Sequence, residues 1–304
     1  MSYEVSTTSD WFRQIQTNEE ATKRTIVQNS TWKNIGIASK ITEGITMDHE
    51  ESPLLGSEDR YSDDRLFEHN TVTLNWNLID TRFLRYFTEA AGGGAGSIDK
   101  ANSILRGQRI NAVASNKVYL GSVGDRVTIN LDKRSSVSAT AKVMTSTDWL
   151  DQAATDTLLG ASTVYAPALT TTPWTHLTSG ISVPFVYGAG SRDIEKGTID
   201  ITRNALEVMP LGSATPRTIR AGYRRIAFNF DTWCKDSALI GDVKGMTART
   251  VTMQLYTTPV VLTLTGCQFN SYSTDSDAGT GDIFKETLVG TAKAFSATAL
   301  TVAS

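Results

Sequence analysis

Polar and apolar residues alternate from Thr71 to Ile79, the two-residue period of a strand with one buried and one wet face. Val72, Leu74, Trp76 and Leu78 form the apolar set; Thr71, Thr73, Asn75 and Asn77 form the polar set and carry no charge. The same pattern returns at residues 225–231, where Phe228 and Phe230 alternate with Asn229 and Asp231. The offset between the two stretches is constant. Leu55-Gly56-Ser57 reappears as Leu211-Gly212-Ser213, Phe67 as Tyr223, Leu74 as Phe230 and Asp80 as Asp236, each 156 positions on (230 − 74). That period is the size of a domain rather than of a solenoid repeat, so the chain reads as two copies of one β-rich module.

The pattern divides the chain into four parts. Residues 1–34 form a polar N-terminal arm with room for one short helix capped by Ser9 or Asp10. Trp11, Phe12 and Trp32 in this arm are expected to fold back on their own module or to dock on another subunit. Module 1 covers residues 35–147. It holds a strand or strand pair through Ile35 to Met47 and a polar loop over 48–70. The alternating strand follows, then a helix over 81–91 capped by Asp80 with Phe83, Leu84 and Phe87 on one side. Gly92 to Gly96 end that helix. Strands follow over 118–120, 127–131 and 137–144, with Gly124-Asp125 as a turn. Residues 148–180, containing Thr170-Thr171-Thr172-Pro173, read as a linker. Module 2 covers 181–304, with strands over 181–187, 197–204, 226–232, 251–256 and 260–269. A weak helix after Asp236, a turn region over 275–282 and a last strand pair over 284–295 complete it. Thr291-Ala292-Lys293 answers Thr140-Ala141-Lys142. The expected fold class is therefore all-β: sandwich or barrel modules with short flanking helices, in two tandem copies.

Composition narrows the function. Hydrophobic residues are 40% and charged residues 20% of the 304, a globular balance. A net charge of −3 and a pI near 5.7 argue against a surface that grips nucleic acid by neutralising phosphates. No apolar run reaches the roughly 18 residues of a membrane helix, and the N-terminus has no secretory pattern. Cys234 and Cys267, in apolar surroundings, read as two reduced buried thiols.

Candidate chemistry is sparse. His49, His69 and His176 stand apart in polar loops, where a solvent-facing histidine is the ordinary reading. Gly92 to Gly96 neither follows a strand nor opens a helix, so it makes no phosphate cradle. Asp275, Asp277 and Asp282 beside Gly279 and Gly281 lack the spacing of a calcium loop and read as a hairpin turn. No catalytic residue, metal site or cofactor is expected.

The order strand, long polar loop, Leu-Gly-Ser, strand, acidic cap, short helix and further strands resembles the tail tube (major tail) proteins of tailed phages and related viruses. The likeness is clearest from Gly197-Thr198-Ile199-Asp200-Ile201-Thr202-Arg203-Asn204 through Tyr223-Arg224-Arg225-Ile226. It continues in Leu262-Thr263-Leu264-Thr265-Gly266-Cys267-Gln268-Phe269-Asn270-Ser271. The resemblance implies a structural protein of the virion, made in the host cytoplasm, whose rings stack into a hollow tube that conducts viral DNA. It implies partners among tape-measure and tail-end proteins, and passing DNA that is not specifically bound. This chain departs from a single-module tube protein by carrying the module twice, so a ring of six modules would be a trimer imitating a hexamer. Thr71, Thr73, Asn75, Asn77, Asp200, Thr202, Asn229 and Asp231 are then the lumen-facing candidates. The loop over 48–68 carries eight carboxylates against two arginines, net −6; residues 204–225 carry four arginines against one carboxylate, net +3. Glu58, Asp59, Asp63 and Asp64 on one side and Arg217, Arg220 and Arg224 on the other are therefore candidates for contacts between stacked rings. Two alternatives remain. A tail hub or distal tail component would reuse the tandem module but end the tube. A carbohydrate-binding sandwich would want aromatics clustered on one face, whereas the six tryptophans here are scattered.

Overall fold

In the computed structural model the described residues are 12–19, 33–53, 60–77, 84, 87, 102–110, 113–114, 117–132, 137–146, 184–187, 190–208, 218–233, 238–255, 260–276 and 284–297. The fold is all-β, and the strand ladders are antiparallel throughout.

The strands form two circuits. The first uses β1 (Phe12–Glu19), β2 (Lys33–Pro53), β3 (Arg60–Asn77), β4 (Asn102–Ile110), β6 (Lys117–Asp132) and β7 (Ser138–Thr145), with β5 (Val113–Ala114) extending β4. Its hydrogen-bonded order is β2-β3-β7-β6-β4-β1, returning to β2. The second uses β8 (Pro184–Tyr187), β9 (Gly190–Thr202), β12 (Arg225–Trp233), β13 (Arg249–Leu255), β14 (Val260–Ser276) and β15 (Phe284–Ala292). Its order is β9-β12-β15-β14-β13-β8, returning to β9; β16 (Ala294–Ala297) pairs β14. Each half therefore closes as a six-stranded barrel, which leaves few exposed sheet edges.

The barrels are fused along β6 and β9, from Arg126 opposite Thr202 to Asp132 opposite Lys196. The fusion produces one eight-stranded wall in the order β2-β3-β7-β6-β9-β12-β15-β14. Leu74, Trp76, Val127, Ile129, Ile199, Ile201, Phe228 and Phe230 belong to a single buried cluster that runs through both halves. Burying a side chain of this size stabilises by about 1.5–3 kcal/mol, so the joint is part of the core.

The registers of the halves coincide. Ile41 faces Leu74, and 156 positions on Gly197 faces Phe230; Thr46–His69 and Thr202–Arg225 correspond likewise. A bulge skips residue 39 in the first ladder and 195 in the second. Across β7–β6 and β15–β14 the offsets become 147 and 145: Thr140 faces Thr128, and Thr287 faces Ser273. The bulges there fall between Gly124 and Arg126 and between Phe269 and Ser271, again at matching places. Ile104–Tyr119 and Val251–Leu264 match at the same two offsets.

Several expectations change. Phe12–Glu19 is strand β1, not a helix, because its backbone is claimed on both sides by β2 and β4. Phe12 thus opens a strand of its own barrel, opposite Arg109; Trp11 and Trp32 lie outside the described residues. The polar loop over 48–70 is instead a two-stranded ribbon, paired from Asp48–Phe67 to Pro53–Arg60. Gly124-Asp125 is a bulge within one continuous strand and not a turn. Gly124 is required there because an added Cβ would lie 2.6 Å from the Phe87 ring. Thr291 pairs with Ala227, whereas the partner equivalent to that of Thr140 belongs to Thr287, so the two Thr-Ala-Lys triplets are four positions out of register. Asp275 and Ser276 belong to β14 rather than to a turn.

Leu84 and Phe87 are buried, joined by a Phe87 N–H to Leu84 C=O bond of 3.0 Å; the rest of the helix expected over 81–91 lies outside the described residues. The second helix, α1 (Ala238–Gly245), forms despite Gly241 and ends in a left-handed Met246 with φ 49°. Arg249 on β13 donates to both carboxylate oxygens of the buried Asp242, at 2.7 and 3.2 Å, and so pins the helix to the barrel. The linker over 148–180, Leu78, Asp80, Asp236, Gly92 to Gly96 and both Leu-Gly-Ser triplets lie outside the described residues.

Candidate functional site: the polar face of the wall

The wall has an inner face in the core and an outer polar face. Ladder pairing fixes which residues share the outer face. One row runs Asn75, Thr140, Thr128, Asp200, Ala227; the next runs Thr73, Lys142, Arg126, Thr202, Arg225. A third runs Asn77, Ser138, Asn130, Thr198, Asn229, and Asp231 stands opposite Lys196 beside it. Together with Thr71, all eight lumen candidates lie on this one face, across both halves. Their alternation partners Val72, Leu74, Trp76, Ile226, Phe228 and Phe230 are buried.

The face is not as free of charge as Thr71 to Asn77 alone suggests. Asp200 accepts from Arg126 Nε at 2.7 Å and from Thr128 Oγ1 at 2.8 Å, a bond set that spans the joint between the halves. Asp200 holds the Arg126 guanidinium above its ordinary pKa, first through this hydrogen bond and then by charge. Asp231 pairs with Lys196 at 3.3 Å and accepts from Thr287 Oγ1 at 2.8 Å. Lys142 pairs with Asp125 at 3.5 Å, and Lys285 with Glu195 at 3.0 Å. Asp200 and Asp231, the two acidic lumen candidates, each have a cation beside them. The cations escaped sequence reading because Arg126, Lys142 and Lys196 lie on strands outside the two stretches that set the pattern. The every-second-residue positions of 126–132, 138–144 and 196–202 are a signal that puts them on the polar face, though not beside a given carboxylate.

The stacking candidates divide. Asp63 and Asp64 lie on the β2–β3 ribbon, opposite Glu51 and Glu50. Arg220 is exposed on a small ribbon of β10 (Leu206–Val208) and β11 (Thr218–Arg220); Arg224 is half-buried and donates to the Lys293 carbonyl at 3.3 Å. Glu58, Asp59 and Arg217 lie outside the described residues. The β10–β11 ribbon from the second half lies on the first: Ile219 packs with Val123 and Met144, and the buried Glu207 carboxylate meets Nδ1 of His69. His69 is therefore a strand residue with an acidic partner rather than a solvent-facing loop residue. His49 is in strand β2, and His176 lies outside the described residues.

Cys267 is a free, buried thiol whose Sγ–H donates to the Leu264 carbonyl at 3.4 Å; burial pushes its pKa up to about 12. Cys234 lies outside the described residues. Among the described residues no three His, Cys, Asp or Glu side chains are gathered as a metal ion would need, and no helix is long and apolar enough to cross a membrane. What the polar face offers is a broad hydroxyl and amide surface on which Arg126, Lys142 and Lys196 each stand beside a carboxylate, with Arg225 exposed in its second row. No protein-family model and no curated protein matches the chain.

Proposed function

We propose that this chain is a self-assembling structural protein whose rings stack into a hollow tube, the tail tube of a tailed virus, with the polar face of the wall lining the lumen. The observation that carries the reading is the coincidence of ladder register and bulges between the halves. Two barrels built on one plan and fused edge to edge are two neighbours of a ring within one chain, and a six-barrel ring needs three such chains. The polar face fits a DNA conduit: Arg126, Lys142, Lys196 and Lys285 each stand beside a carboxylate, which weakens the pull of these four cations on phosphates. Tape-measure and tail-end proteins are the proposed further partners, and the assembled virion the proposed location. Negative-stain images of concentrated protein test the proposal. Tubes are expected. Single rings that never stack would favour the hub or distal tail reading, and dispersed particles would overturn assembly altogether.

A further inference from the structure

The joint between the two halves specifies the joint between two copies. Among the described residues, the wall ends at two strand edges that carry no second strand: β2 beyond Ile37 and β14 beyond Cys267. These are the counterparts of β9 and β6, the strands that fuse the halves. We propose that β2 of one copy pairs with β14 of the next in the register that β9 and β6 hold inside the chain. The inference rests on the ring reading and adds the interface to it. The transfer is arithmetic. Thr202 moves to Thr46 (202 − 156) and Arg126 to Ser271 (126 + 145), so Thr46 faces Ser271 across the copies. In the same way Ile45 faces Tyr272, Gly44 faces Ser273 and Thr42 faces Asp275.

Burial supports this interface. Ile201, facing Val127 within the joint, is fully buried, whereas its counterpart Ile45 is 40% exposed. Both point to the core side of the wall; a strand covers the first and none covers the second.

The ribbons carry the same logic. The β10–β11 ribbon, which rests on the first half, corresponds by 156 to the β2–β3 ribbon: Glu207–Ile219 matches Glu51–Asp63. The pair of Glu207 with His69 then becomes Glu51 of one copy with Arg225 of the next. The apolar seat of Ile219 on Val123 and Met144 becomes Asp63 over Gln268 and Thr291, which face each other in β14–β15. An acidic ribbon thus meets a polar, basic seat. The seat of the ribbon is apolar in the permanent joint and polar in the reversible one, as interfaces between separable partners tend to be. The opposite charges of 48–68 and 204–225 then act sideways within a ring.

Two sets of variants in the full-length chain test the interface. Thr46→Cys with Ser271→Cys, and Thr42→Cys with Asp275→Cys, should form disulfides between copies under mild oxidation, giving covalent closed oligomers. Thr42→Cys with Ser271→Cys is displaced four positions, roughly 13 Å at strand spacing, beyond disulfide reach, and should not. Glu51→Arg and Arg225→Glu should each raise the concentration for half-assembly by about tenfold or more. Each should leave the circular dichroism of the monomer unchanged, and the double variant should restore assembly. Particles that form by microscopy yet cross-link only in the displaced pair, or not at all, would overturn this interface and leave the tube reading standing. Failure of the double variant to regain assembly would also overturn it. A chain that assembles under no condition would overturn both.

Discussion

The ring of Phe230 fills the space above Gly197, its cross-strand partner; a Cβ on Gly197 would lie 2.5 Å from Cδ1 of that ring. In the first half the same ladder position holds Leu74 and Ile41. One half spends its volume on two aliphatic side chains, the other on one ring and no side chain, and the ladder keeps the same register. Volume-conserving exchange of this kind is what a packed core tolerates best.

The exchange can be tested directly. Gly197→Ile alone overpacks the site and should destabilise by about 1–3 kcal/mol or more. Phe230→Leu alone should destabilise by a comparable amount through the cavity it leaves. Together they install the first-half pair, and denaturant midpoints should show a double variant more stable than the sum of the singles by at least about 1 kcal/mol.

Ile45 and Ile201 provide a second contrast. Ile201→Ala removes a fully buried side chain and should cost the monomer about 2–5 kcal/mol. Ile45→Ala should change monomer stability by well under half of that while weakening assembly. Equal effects on the monomer would contradict the assignment of Ile45 to an interface.

The polar face makes a prediction about DNA. Asn75→Lys with Asn77→Lys adds two cations to it. Tubes should still form, but they should retain DNA more strongly, with a salt dependence steeper by roughly 0.9 per added phosphate contact for duplex. Retention unchanged between low and moderate salt would place these side chains away from the DNA path.

Cys267 should be inert to thiol reagents in the native protein and reactive once unfolded, because burial raises its pKa from 9.0 to about 12. The sign for stability follows. The contribution is whole below pH 9, where the thiol is neutral in both states. It falls between pH 9 and 12, where the unfolded thiol ionises first. Rapid labelling at neutral pH would show that this part of the barrel opens.

Much of the fold was legible. The alternation of Thr71 to Asn77 and its return at 225–231 gave the strands, their buried faces and the offset of 156, because a strand half-buried on one face must show its period. The β1 strand was not legible. Phe12–Glu19 has a helix-like start signal and acquires strand structure only from β2 and β4, a tertiary decision. The ribbon over 48–68 was hidden for a similar reason: its side chains are polar, and its order comes from the ladder. The cation beside Asp200 depends on which strands become neighbours across the fusion, and Lys196 beside Asp231 on the pairing of β9 with β12. Alternation within one strand cannot supply that.

The most direct test of the account is the mass and symmetry of the smallest closed assembly, measured by mass photometry across a concentration series and by end-on class averages. Three chains are expected, 3 × 33.0 = 99 kDa, with six similar lobes around a central opening. A closed ring of six chains, or a chain that remains at 33.0 kDa at every concentration, would contradict it.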